Sequence, residues 1–353
     1  MKAVVWYGRG DVRVGDVPVP RPRCGEVLIE VGACGICRTD VDEYLYGPIF
    51  IPVGTPNALT GRAAPIVLGH EFAGEVVALG PGVKSLRIGD RVGAEVLIAC
   101  GECYWCRRHS PNLCEKLAAL GLSGDGGLAE YCCVPEEMCV VLPAGLTLEE
   151  AAFAEPLAVA VRAIRRSRLG FGEHVAVVGA GSIGLLAIQV ARAAGAAQVI
   201  AVDPVQWKRE LALKLGAHAV LDPQAAGFSA SLRGLVSVGP DVVVEASGSG
   251  EAIRLALGQV RKGGRVVLVG IPVGGVGVEP LEVVVGEREV IGCLSHVFDE
   301  DYVIAVRLLG EHAVKVAELV SERVDIQRAV EDGLERLISR PSDTMKVIVR
   351  PNG

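Results

Sequence analysis

Residues 174–196 read HVAVVGAGSIGLLAIQVARAAGA, and this stretch decides the fold. A short apolar run enters a glycine-rich turn, and an apolar helical pattern leaves it. The turn, Gly179-Ala180-Gly181-Ser182-Ile183-Gly184, fits G-x-G-x-x-G. Gly179 permits the tight turn, Gly181 lets the backbone approach a pyrophosphate, and Gly184 lets helix and strand pack closely. Ser182 and Ile183 open the helix, whose free N–H groups and positive dipole end face that phosphate. In a chain with 45 glycines the motif alone carries little weight, so its setting matters.

The next apolar run, QVIAVD, ends in Asp203, nineteen residues after Gly184. An acid there accepts both ribose hydroxyls of an adenosine and repels a 2′-phosphate, which favours NAD over NADP. Lys208 either adds a contact to that ribose or is a solvated lysine at a helix start. Further on, DVVVEA and RVVLVG alternate with helical segments, the pattern of βαβ units and a parallel sheet buried on both faces. Residues 158–292 are therefore expected to form a doubly wound Rossmann domain. Upstream the rhythm differs: EVLIEVGA, AGEVVALGPGV and GDRVGAEVLI are short strands cut by Gly and Pro, which predicts a β-rich, barrel-like domain over 1–157. The tail, 293–353, supplies a helix and a final strand that return to that domain. The fold class is α/β.

The 353 residues suit two domains. The net charge is −7 with no long basic run, which argues against nucleic acid or an anionic membrane surface as partner. No apolar stretch is long enough for a membrane span, and the first residues lack a secretory apolar segment, so a cytoplasmic protein is expected. The eleven cysteines are an odd number in a large chain, which suits metal ligation and burial better than a disulfide framework.

Cys100, Cys103, Cys106 and Cys114 follow C-x2-C-x2-C-x7-C, a spacing that can converge tetrahedrally on Zn²⁺. Four thiolates leave no open coordination position. That site is expected to hold a loop, not to do chemistry.

Chemistry needs a metal with an open position. GACGICRTDVDEY contributes Cys37, VLGHEFAGEVVALG contributes His70 with Glu71 beside it, and FAEPLAVA contributes Glu155. Each is ambiguous alone. A lone His is often a core residue, Cys34 and Cys37 also read as a C-x-x-C redox pair, and Glu155 also reads as a helix cap.

Taken together, GHEFAGEVVALG, CGICRTD, GDRV, the four-cysteine lobe, AEPLAVA and GAGSIG resemble, in order and over essentially the whole chain, the zinc-containing medium-chain alcohol dehydrogenases. The resemblance implies a GroES-like catalytic domain beside the Rossmann domain and two Zn²⁺ per subunit. The catalytic ion would be held by Cys37, His70 and Glu155, with Glu71 able to exchange into its shell and Asp40 orienting the ligands. The second ion would be structural, in the four-cysteine lobe. NAD is the implied cofactor, a small alcohol or diol the substrate, and a homotetramer, or else a dimer, the assembly. Thr39 would take the substrate's proton and pass it toward the cofactor ribose, while hydride goes to the nicotinamide.

Glu as third ligand is similar to the polyol and butanediol branches, and the segment GPIFIP between the Cys and His ligands resembles the butanediol branch, which implies oxidation of 2,3-butanediol to acetoin. Sorbitol, threonine, glucose and simple alcohols remain alternatives, as do a zinc-free reductase and a non-catalytic NAD-binding zinc protein. Tyr44, Ile49, Phe50 and Ile51 would wall an apolar pocket or else pack the barrel. Two positions depart from the branch. Arg38 resembles other alcohol dehydrogenases, in which an Arg here contacts the cofactor pyrophosphate. Asp42 stands where a His often ends the proton relay, and its ordinary pKa is lower by roughly two to three units.

Overall fold

The computed structural model describes residues 1–272 and 274–352. The chain forms two compact units: Met1–Glu155 with Val297–Glu311 and Val316–Gly353, and Pro156–His296 with His312–Lys315.

The first unit is built of short strands. β1 (Lys2–Gly8) and β2 (Asp11–Asp16) pair antiparallel, and β3 (Glu26–Gly35) leads into the helix α1 (Arg38–Tyr46). There follow β4 (Ile66–Val67), β5 (Glu71–Leu79), β6 (Arg91–Ala94), β7 (Leu97–Ile98), β8 (Ala118–Ala119), β9 (Tyr131–Pro135) and β10 (Cys139–Val141). Next comes α2 (Leu148–Ala151), with Thr147 and Glu150 in a capping box, and then α3 (Ala154–Ser167), whose first two residues close this unit while the rest, from Pro156, belongs to the second. The core gathers Ile29, Phe72 and Leu128, all essentially inaccessible. Each such side chain contributes about 1.5–3 kcal/mol by leaving water.

In the second unit, β11 (His174–Val178), α4 (Ser182–Ala193), β12 (Gln198–Val202), α5 (Gln206–Lys214) and β13 (Ala219–Leu221) alternate. β14 (Val242–Glu245), β15 (Arg265–Leu268) and β16 (Glu289–Gly292) complete a parallel sheet in the order β13-β12-β11-β14-β15-β16. The order reverses between β11 and β14. Ligands of such sheets bind at the carboxyl ends of the strands at that point. Val175, Val177, Val199 and Ile200 are fully buried, as expected for strands covered on both faces.

The tail then returns. β17 (Val320–Asp325) runs parallel to β18 (Lys346–Arg350), which pairs antiparallel with β3. The main sheet of the first unit thus reads β10-β6-β5-β3-β18-β17, with β9 also on β3. The chain rejoins this unit at Val297, and His312–Lys315 stays with the second. The Gln189 amide explains that exception: it donates to the Lys315 carbonyl at 2.9 Å and accepts from the Lys315 N–H at 2.8 Å. The architecture is the α/β arrangement expected from the strand and helix rhythm.

Candidate active site

The β3–β5 register pairs Gly35 with Glu71 and Cys34 with Phe72. Cys37 follows Gly35 by two residues, and His70 precedes Glu71 by one. The ladder therefore brings these three side chains together. Their ligand atoms all lie within 4.8 Å of one another. Cys37 precedes the first turn of α1, where its N–H donates to the Asp40 carboxylate at 2.8 Å.

His70 and Glu71 are buried and Cys37 is half-buried. Asp40 is fully buried, and its Oδ1 lies 3.6 Å from His70 Nδ1, too long for a hydrogen bond. Among the described residues neither atom has a hydrogen-bond partner. The carboxylate thus faces the imidazole without bonding to it, and a small approach would make the hydrogen bond by which carboxylates orient metal-ligating histidines. Burial pushes the His70 pKa down, but the charges of Asp40, Cys37 and Glu155 outweigh it and hold the pKa well above the usual value. A thiol, an imidazole and a carboxylate, in a buried cluster rich in negative charge, are a donor set that fits Zn²⁺.

The carboxylate in the convergent set is Glu71. Glu155 lies in the first turn of α3, 7% exposed, and its charge acts on His70 and on Lys346. Lys346, which the sequence reading missed, meets Glu71 from the start of β18. The β18–β3 register, Ile348 against Gly35, carries it there. The available signal was one lysine opening the apolar strand KVIVR.

Thr39 Oγ1 lies 3.7 Å from Cys37 Sγ, so a hydroxyl flanks the metal donors. Arg38 Nε donates to Asp42 Oδ1 at 2.9 Å across one helical turn, joining the two unusual residues. Burial raises the Asp42 pKa, and Arg38 opposes this only in part. The four apolar wall residues divide. Ile51 is buried in the core and Tyr44 packs against it, while Ile49 and Phe50 are about half exposed.

The four-thiol lobe also converges, with its sulfurs within 4.8 Å of one another. Backbone N–H groups turn onto the sulfurs: Cys100 and Lys116 donate to Cys114 Sγ at 3.3 and 3.4 Å, and Cys103 donates to Cys100 Sγ at 3.4 Å. Such donors stabilise thiolates. The backbone N–H groups of Cys106 and Glu115 lower Cys103 to about 6, while burial and the neighbouring thiols raise Cys106 to about 12. Thiolates this close repel one another, and a divalent cation removes that repulsion. The lobe fits a closed, four-sulfur zinc site.

In the second unit Gly179 adopts φ +96°, and a Cβ on Gly184 would overlap the Gly179 carbonyl. A Cβ on Gly181 would meet nothing within 4 Å. Its absence therefore serves no packing in the protein and clears space before α4, as a pyrophosphate requires. Asp203 directly follows β12 and is buried. Its Oδ2 accepts the Ala180 N–H at 2.7 Å and its Oδ1 the Val205 N–H at 2.8 Å. The acid is thus locked to the glycine turn before any ribose arrives. Arg209, also missed from the sequence, donates to the Asp203 carbonyl at 2.7 Å and pairs with Asp222. Lys208 Nζ lies 5.7 Å from the centre of the Trp207 ring.

The family model described as the alcohol dehydrogenase GroES-like domain matches residues 23–144, and that described as zinc-binding dehydrogenase matches 182–311. The (R,R)-butanediol dehydrogenase of Bacillus subtilis (strain 168) is 37% identical over 353 residues, covering 100% of both chains. The sorbitol dehydrogenase of the same organism is 31% identical over 357 residues, covering 100% of this chain and 98% of that one. The crystal structure of 2R,3R-butanediol dehydrogenase from Bacillus subtilis superposes with a TM-score of 0.92 at 37% identity, over 99% of each chain.

Proposed function

The chain belongs to the zinc-containing medium-chain alcohol dehydrogenases, in their butanediol and polyol branch, and from that membership we propose that it oxidises 2,3-butanediol to acetoin with NAD⁺. The observation that carries the reading is the convergence of Cys37, His70 and Glu71 on one point, with the Thr39 hydroxyl beside them. The 37% identity to a butanediol dehydrogenase over the full length of both chains supports the choice of substrate; a threonine dehydrogenase reaches the same identity over only 77% of this chain.

Cys37, His70 and Glu71 would hold the catalytic ion, with Glu155 as the reserve carboxylate. Zinc bound there supplies Lewis acidity that makes an alcohol hydroxyl acidic near neutral pH. The protein's own residues do the rest. Asp40 orients His70. Thr39 accepts the hydroxyl proton and hands it on, and Asp42 is the carboxylate that receives it beyond Thr39. Its raised pKa brings it closer to the working range of a relay. Arg38 neutralises Asp42 on the exposed side of α1 and is placed to meet a pyrophosphate. Gly179, Gly181, Ser182, Ile183 and Gly184 cradle the dinucleotide, and Asp203 receives its ribose. The four-cysteine lobe holds a second, structural ion.

We place the protein in the cytoplasm as a homo-oligomer, with a tetramer as the expected state. All eleven cysteines are free thiols, which suits a reducing compartment. No helix among the described residues is long and apolar enough to cross a membrane. Exposed Leu281, Val284, Val285 and Val290 cluster at or before the edge strand β16, a surface suited to a second copy.

The test is NADH formation from NAD⁺ with the stereoisomers of 2,3-butanediol, sorbitol, threonine, glucose and 2-propanol, each with and without a zinc chelator. Chelator-sensitive preference for one butanediol isomer is the expected result. Preference for another alcohol would keep the zinc chemistry and remove the diol.

A further inference from the structure

Glu43 is completely buried on α1, and its carboxylate accepts the backbone N–H groups of three consecutive residues, Ile49, Phe50 and Ile51, at 2.5–3.2 Å. The chain has folded an anion cradle around its own side chain. Such charge-assisted bonds are roughly twice as strong as neutral ones.

The backbone of Glu43 is pinned as well. Its carbonyl accepts Trp6 Nε1 at 3.1 Å and the Gly47 N–H at 3.0 Å, and a Cβ on Gly47 would overlap that carbonyl. Trp6 lies in the core.

The position of Glu43 along the helix gives this clamp its meaning. Asp40 and Glu43, three residues apart, are neighbours on one face of α1, and Cys37 caps the start of the helix three residues before Asp40. Cys37 offers a thiol to the metal cluster, Asp40 faces His70, and Glu43 holds the loop. At 1.5 Å per residue, Glu43 stands about 9 Å along the helix from Cys37. Ile51 is drawn into the core, while Ile49 and Phe50 are left 48% and 46% exposed.

We propose that Glu43 is a positioning residue for substrate selectivity. It holds Ile49 and Phe50 at a fixed distance from the metal donors, as the apolar wall that receives the carbon chain of a short secondary alcohol beyond its carbinol. This rests on the alcohol dehydrogenase reading above.

The test compares wild-type zinc-loaded enzyme with Glu43→Gln and Glu43→Ala on 2-propanol, 2-butanol and 2,3-butanediol. It records kcat, KM, bound zinc and amide hydrogen exchange across residues 49–51. Gln keeps one acceptor oxygen but turns an NH2 toward the loop, whereas Ala removes the acceptor altogether. In the Ala variant, protection of the three amides should fall about tenfold or more, with a smaller loss for Gln. KM for 2,3-butanediol should rise about tenfold with little change in kcat, while kcat/KM for 2-propanol, too short to reach the wall, changes by no more than about threefold. Bound zinc should be unchanged.

Equal losses on all three alcohols, or lost zinc, would assign Glu43 to helix integrity and overturn the proposal. Lost amide protection with unchanged selectivity would do the same. If the Ala variant does not fold, the Gln variant carries the same comparison. A wild type that oxidises none of these alcohols sinks the alcohol reading and this proposal with it. A wild type that does oxidise them, with selectivity that Glu43 does not alter, removes only the role of Glu43.

Discussion

Lys346 Nζ donates to both carboxylate oxygens of Glu71, at 2.8 and 2.7 Å, and both side chains are buried. The same nitrogen donates to the Ile36 carbonyl at 3.3 Å. Glu71 thus belongs to two arrangements at once, an ion pair and a cluster of metal donors. Removing one member of a buried pair costs about 3–5 kcal/mol, because the other charge is left stranded. Lys346→Met should therefore lower the Tm of zinc-free protein. Added zinc should recover more Tm in the variant than in the wild type, since the ion then answers Glu71. Equal zinc shifts in both proteins would place Glu71 outside the metal's shell.

The same pair has a defined pH range. Burial pushes the Lys346 pKa down, but Glu71, Cys37 and Glu155 outweigh this, and the net shift is upward from 10.5. A cation with a raised folded pKa contributes its full stability below its unfolded pKa and loses it as pH rises through the folded value. Wild-type and Lys346→Met melting curves should differ by a constant amount from neutral pH to about 10 and converge only above that. A difference that vanishes near neutrality would contradict the pairing.

Asp42 should set an acidic limb on activity. Burial raises its carboxyl above the ordinary range despite Arg38. The proton-accepting form grows as pH rises through that value, so kcat/KM should rise with pH there. Asp42→His should move the limb up toward about 6.5, and Asp42→Asn should flatten it and lower the rate by about 10²-fold or more. An Asn variant with the wild-type profile would route the proton elsewhere.

The two cysteine sites should fail differently. Cys37→Ala should abolish turnover while NAD binding, followed by fluorescence titration, survives. Cys103→Ala should lose about one zinc ion per chain and lower Tm, with turnover at low temperature largely kept. Unchanged melting with lost turnover in the Cys103 variant would reverse the assignment of the lobe.

Asp203→Asn should raise KM for NAD⁺ about 10–100-fold, the worth of charged hydrogen bonds to the ribose, and improve use of NADP⁺. Because the side chain also accepts the Ala180 N–H, Tm belongs beside the kinetics, to separate lost recognition from a loosened glycine turn.

What could be read in the sequence was local. The 174–196 stretch carries its own strand, turn and helix, and the four thiols lie within fifteen residues. The family's motif order implies Cys37, His70 and Glu155 as ligands with Glu71 in reserve, whereas the carboxylate that converges with the thiol and the imidazole is Glu71. Lys346 was not legible, because only the β3–β18 register brings it to Glu71, and register is a property of the folded sheet. Glu43 was hidden for a related reason. Its partners are backbone N–H groups, which every residue but proline offers, so no side-chain pattern announces them. The Arg38–Asp42 pair is legible in the sequence, since i and i+4 share a helix face, although each residue also suggests a separate role of its own.

The place of β18 also sets an order of events during synthesis. Cys37, His70 and Glu71 are translated early, and the ammonium that answers Glu71 comes 275 residues later. Until then the emerging chain lacks the partner that this carboxylate has in the folded sheet. A chain that stops short of Lys346 would lack both this ammonium and the rest of the strand that pairs with β3. Such a fragment should be soft to proteases, so the last strand completes the sheet and the candidate site together.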